Sequence, residues 1–132
     1  MSFAVGQVLA PLPKPPITVE QLREYAEASL DSNPIHLDAT FAKSAGFPSV
    51  IAHGMISMAF LADFMVSHFP ESHYQILRMK TRFRKVTFPG DQLTCEGKIK
   101  EVHADGSLSV GLATRNTAGD LTSEGEALLR PR

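Results

Sequence analysis

Cysteine is almost missing from the chain: Cys95 is the single one in 132 residues, so no internal disulfide can form. It falls in a segment read as a strand, away from any histidine-rich spacing. That makes it a small buried hydrophobe rather than a nucleophile or metal ligand. Charge of one sign is scarce as well. The net charge of −1 offers no bulk attraction to nucleic acid or an anionic membrane. No apolar run is long enough to cross a bilayer, and the richest one, Met55 to Val66, is short and carries Asp63. The sequence does not open with a basic segment followed by an apolar run, so no signal peptide is expected and the cytoplasm is the default location. Repeats are absent. The one compositional bias is PLPKPP at 11–16, expected to be an extended connector because proline fixes φ and donates no hydrogen bond.

What is present fits a folded protein. Hydrophobic residues make up 43% and charged residues 20%, which excludes the disordered class. The length suggests a single domain, 1–132, able to bury a core without metals or disulfides.

Local signals order the chain into helices and then strands. Thr18 and Gln21 have capping-box spacing. Val19, Leu22 and Ala26 then recur on one face of a helix expected to end near Ser29. Leu30 to Ala39 reads as a loop containing one helical turn, and Phe41 to Ala45 as another short turn stopped by Gly46-Phe47-Pro48. His53 to Phe69 is a longer helix, apolar nearly all round, and such a helix must be enclosed by protein. From Tyr74 the pattern alternates. Leu77, Met79, Thr81 and Phe83 share one side, and Arg78, Lys80, Arg82 and Arg84 the other. Leu93, Cys95, Gly97 and Ile99 share a face of the next strand, and Leu108, Val110 and Leu112 of the one after. Ala104-Asp105-Gly106 and Asn116 to Asp120 are the hairpin turns, and Leu121 to Leu129 is the last strand. The expectation is α+β: two helices first, then an antiparallel meander curved around the apolar helix.

The informative stretch is ASLDSNPIHLD at 28–38. Asp31 and His36 are five residues apart. On a strand they would face opposite ways, and on a continuous helix they would sit about 140° apart. A shaped loop is needed to join them. Asn33-Pro34 supplies it, since Asn is a favoured N-cap and Pro a favoured first helical residue. A second piece, Ile51-Ala52-His53-Gly54-Met55, lies where the apolar helix starts. Unpaired N–H groups there suit a carbonyl oxygen that gains negative charge.

Taken together, Tyr25 to Met55 (YAEASLDSNPIHLDATFAKSAGFPSVIAHGM) resembles the MaoC-like family of (R)-specific enoyl-CoA hydratases and 3-hydroxyacyl-thioester dehydratases. FRKVTFPGD at 83–91 resembles that family's later strand-and-turn segment. The resemblance implies a hot-dog fold, with the long helix wrapped by the sheet. It implies catalysis by Asp31 and His36 on one water, with Asn33 holding the loop and the Gly54 N–H at the thioester carbonyl. Substrate contacts are expected from Asn33, His53, Gly54 and Met55, with a structural hydrogen-bonding role for His53 as its alternative. Neither a metal nor a cofactor is expected. The partner is an acyl-CoA or acyl carrier protein thioester, and the assembly a homodimer, with a heterodimer as the alternative.

Two departures stand out. The family commonly has Gly where this chain has Leu30, a costly exchange if that residue needs positive φ. Some members also carry a hydroxyl eight residues past the helix-start glycine, where this chain has Ala62. Ser57 lies on another face of the helix and is not expected to replace it. The basic stripe Arg78, Lys80, Arg82 and Arg84 is read as a solvated sheet face paired with Glu96, Glu124 and Glu126, with thioester phosphates as the alternative. Competing functions are thioester hydrolysis and non-catalytic acyl-thioester binding.

Overall fold

A strand opens the chain where a connector was expected. In the computed structural model, which describes residues 2–132, strand β1 spans Val8–Pro13. It runs antiparallel to β3, Thr94–Val102, with Leu9 opposite Gly97 and Leu12 opposite Cys95. The register shifts between Leu9 and Leu12, and this irregularity accommodates Pro11. Proline survives in a strand at an edge or a bulge, where a missing N–H breaks no ladder. Both conditions hold here, which is why the proline run did not betray the strand. Past it, Lys14 N donates to Leu93 O and Ile17 N to Asp91 O, so the entry to the first helix is also tied down.

Helix α1, Val19–Ser29, starts at Thr18, whose hydroxyl accepts from Gln21 N at 3.1 Å. Its buried face is Leu22 and Ala26, with Tyr25 packed alongside, whereas Val19 is exposed. A 3₁₀ turn at Pro34–His36 and helix α2, Ala39–Ser44, follow, the latter capped by Asp38. Helix α3 spans Gly54–His68. Among the described residues no helix is long and apolar enough to cross a membrane.

The sheet contains β2 (Tyr74–Phe83), β3, β4 (Leu108–Arg115) and β5 (Leu121–Pro131) besides β1. Its order is β1-β3-β4-β5-β2, and every pair is antiparallel. The expected meander therefore holds for β3-β4-β5 alone. The chain leaves β2 beside β5 and crosses back to start β3 three positions away. Arg84 N and Lys85 N, both donating to Thr122 O, fix the start of that crossing. Along β2 the alternation slips. The register shifts between Ile76 and Arg78, so Leu77 is the extra residue of a bulge and does not share a face with Met79.

Helix α3 lies against the concave side of the sheet. Phe60, Leu61, Phe64 and Met65 meet Leu93, Cys95, Ile99, Val110 and Leu129 in one core. Contact is closest at Gly97, where a Cβ would fall 2.5 Å from the Phe64 ring. The strand gives up a side chain there so that the ring can reach its backbone. Cys95 is fully buried and burial pushes its thiol up to about 11, as suits an inert core residue. Enclosure of α3 is incomplete, however. Met55 and Val66 are exposed in a stripe that also carries Ala59 and Asp63, so the single chain covers only part of this apolar helix.

The outer sheet face carries the basic stripe, of which Lys80, Arg82 and Arg84 meet acids across the strands while Arg78 stands opposite Leu128. Lys80 stands opposite Glu126 and Arg82 opposite Glu124, while Arg84 binds Glu124 and Arg115 binds Glu96.

Candidate active site

Helix α1 ends at Leu30, whose backbone turns left-handed at φ 60° and ψ 21°. This reversal throws the chain back across the end of the helix. The loop then stabilises itself with short polar contacts. Ser29 Oγ accepts from Asp31 N, and Asn33 Oδ1 accepts from Ile35 N at 3.1 Å, starting the turn that delivers His36. Asn33 thus works on the loop's shape, and its own side chain is exposed.

His36 is buried and held from one side. Its Nδ1 lies 2.7 Å from Ile51 O. A carbonyl can only accept, so Nδ1 carries the proton and Nε2 keeps its lone pair when the ring is neutral. Ile51 N donates in turn to Ile35 O, which clamps the turn to the segment before α3. His53, at the N-cap of α3, is 2% exposed and donates from Nε2 to the backbone carbonyl of Asp31 at 3.0 Å. Its ring stacks on His36 with centroids 3.8 Å apart and planes 23° apart. Asp31, His36 and His53 thereby bring their donor atoms within 4.8 Å of one another. His53 Nδ1 is buried without a partner among the described residues.

Two imidazoles and a carboxylate are a possible metal set by composition. The stacking argues against it. Ring nitrogens bind a metal in the ring plane at about 2.0–2.1 Å. A metal shared by two nearly parallel rings would sit far out of both planes. A water molecule, which needs only hydrogen-bond geometry, suits the same atoms better.

A cavity of about 270 Å³ opens beside this cluster, lined by His36, His53, Gly54, Ser57, Phe83 and Thr87 among others. A Cβ at position 54 would lie 2.8 Å from the Phe83 ring, so glycine is what lets the ring close over the start of α3. Asp31 is exposed on the outer side of the cluster and does not line the cavity. Met55, expected among the substrate contacts, is 51% exposed and lies outside the cavity. Ala62 does not line it either. Ser57 does, although its helix face gave no reason to expect it. Its spacing of three from Gly54 was the available signal, because residues i and i+3 share a helix face. Phe83 and Thr87 come from one distant segment, FRKVTFPGD at 83–91, to which the sequence reading gave no site role.

A larger hollow, about 1010 Å³, lies on the outer sheet face among Lys80, Arg82, Lys98 and Lys100. It is an open trough of charged side chains, several paired across strands, and contains neither member of the Asp31–His36 pair. The smaller cavity is the one lined by His36 and His53.

A five-stranded antiparallel sheet wrapped around one long helix defines the hot-dog class. The chain belongs to the MaoC like domain family, whose model matches residues 2–120. It is 29% identical over 112 residues to the (R)-specific enoyl-CoA hydratase of Aeromonas caviae, covering 83% of each chain. It is 34% identical over 110 residues, 78% of its length, to fatty acid synthase 2 of Mycosarcoma maydis, of which it spans only 3%. The unliganded R-hydratase of Pseudomonas aeruginosa superposes with a TM-score of 0.88 at 30% identity, over 98% of this chain and 82% of that one.

Proposed function

We propose that this protein reversibly hydrates a 2-enoyl thioester of coenzyme A or a carrier protein to the (R)-3-hydroxyacyl thioester. The observation that carries the reading is the hydrogen bond from His36 Nδ1 to Ile51 O. It leaves Nε2 free, as a base must be, on a ring that has a nitrogen within 4.8 Å of an Asp31 carboxylate oxygen. A water held between them loses one proton to His36 as its oxygen bonds to C3. The C2–C3 double bond opens toward the thioester, and C2 takes a proton back from the same pair on the same face. Neither residue is consumed. Negative charge that gathers on the thioester oxygen meets the Gly54 N–H in the first turn of α3, where the helix has no acceptor of its own for that group. The reaction so written needs no metal or cofactor. The family match and the activity named for the Aeromonas relative support the substrate class and the (R) configuration.

The assembly in this reading is a homodimer. Among the described residues strand β2 pairs only with β5, which leaves its other edge open, and Met55, Val66, Ile76, Leu77 and Phe83 are exposed apolar side chains on β2 and α3. A monomeric mass by light scattering at assay concentration would remove this part of the proposal.

Crotonyl-CoA tests the activity. Loss of the conjugated thioester absorbance without release of free thiol is the expected result. Thiol release would instead establish hydrolysis, and tight binding without turnover would establish a binding subunit.

A further inference from the structure

Helical serines in this protein have a habit. Ser29 Oγ donates to Tyr25 O at 2.7 Å, Ser44 Oγ to Phe41 O at 2.6 Å and Ser67 Oγ to Phe64 O at 2.7 Å. Each hydroxyl satisfies itself on the preceding turn, as serine does in helices. Ser57 has the same opportunity on α3 and does not take it: among the described residues no hydrogen bond from its hydroxyl is formed. Yet it is 7% exposed, and it lines the cavity with His36, His53 and Gly54. Its hydroxyl therefore opens onto the cavity and is free to bond to a group that enters there.

Direction narrows what that group is. Side chains on a helix lean toward its N-terminus, so Ser57 leans over the turn that begins at Gly54. The Gly54 N–H points out of that same end. Two donors, one backbone and one side chain, therefore converge on one side of the cavity, across from the imidazole that takes the proton. The group that uses two donors there is an oxygen that gains charge during the reaction.

We infer that the Ser57 hydroxyl is a second hydrogen-bond donor to the thioester carbonyl oxygen, beside the Gly54 amide. The inference rests on the hydration reading and adds a catalytic residue to it. Ser57 supplies at the carbonyl end what Asp31 and His36 supply at the double-bond end.

Kinetics and a spectrum together test it. Loss of one such donor typically lowers kcat by about 10²-fold. Ser57→Ala is expected to show a drop of that order on crotonyl-CoA, with KM little changed and an unaltered thermal melt. The second readout uses 2,4-hexadienoyl-CoA, a conjugated probe whose absorbance moves to longer wavelength as its carbonyl accepts stronger hydrogen bonds. Bound to His36→Ala, which holds the probe without hydrating it, the red shift is expected to be full. In the His36→Ala, Ser57→Ala double variant it is expected to shrink. Ser57→Cys keeps the shape with a weaker donor, and covers the case in which alanine at 57 disturbs folding. A wild-type kcat and an undiminished red shift in the Ser57 variants would overturn the inference while leaving hydration intact. No turnover by the wild type and no spectral change in any variant would overturn both.

Discussion

Replacing Leu30 with glycine should make this protein more stable, and the gain can be worked out from the loop. Leu30 ends α1 at φ 60°, the only non-glycine residue with positive φ among those described. A side chain in that region costs about 1–2 kcal/mol from the clash between Cβ and the backbone. Glycine removes the clash but frees the unfolded chain, which returns about 0.5–1 kcal/mol. Burial barely enters, since Leu30 is 88% exposed. The net gain is about 0.5–1 kcal/mol, which for a chain of this size raises Tm by about 2–5 °C. Leu30→Ala is the control, because it keeps the Cβ and the strain and loses only exposed atoms. It should stay within about 0.5 kcal/mol of the wild type. Thermal melts by circular dichroism and urea titrations measure both. A glycine variant that melts lower, or an alanine variant that gains as much, would refute the assignment of strain to this residue.

Three further perturbations follow from the packing. Gly97→Ala puts a methyl 2.5 Å from the fully buried Phe64 ring, and should cost about 1–3 kcal/mol in urea unfolding; Phe64→Leu in the same chain should recover part of it. His53→Ala removes the donor to the Asp31 carbonyl and should cost about 1–3 kcal/mol, with faster amide exchange confined at first to residues 30–36. Cys95 ionises at 9.0 in the unfolded chain but only at about 11 when buried. The unfolded state is therefore the one that gains from losing the proton. Stability carried by the neutral thiol is intact below pH 9 and is lost as pH rises through that window, an effect Cys95→Ala should abolish. At pH 8 the thiol should ignore an aromatic disulfide reagent until urea unfolds the protein.

Much of this architecture could be read from local chemistry. Thr18, Asn33 and Asp38 each announce a helix or turn start through a side-chain oxygen, and all three cap as their types suggest. Gly106 and Gly119 mark the hairpins with positive φ. Where the sequence misled, the deciding partner was remote. β1 is a strand because β3 offers it an edge, which no property of PLPKPP reveals. β2 sits beside β5 because the crossing segment is fastened to Thr122. The bulge at Leu77 is set by pairing with Leu128 and Leu129 and not by the alternation itself. The site divides the same way. Asp31, Asn33 and His36 lie in one short motif, so their proximity was legible. The Ile51 carbonyl that fixes the tautomer of His36 is fifteen residues away. Ser57 was hidden for another reason: on a helix apolar nearly all round, composition does not say which face meets the cavity.

The most direct test of the account is the turnover of crotonyl-CoA by Asp31→Asn and His36→Ala, each checked for an unchanged melt and solution mass. Removing a positioned acid or base typically costs about 10²–10⁴-fold. Both variants are expected to lose kcat within that range while still binding the thioester. If either turned over crotonyl-CoA at close to the wild-type rate, that residue would not belong to the water-activating pair, and the mechanism built on the Asp31–His36 loop would be contradicted.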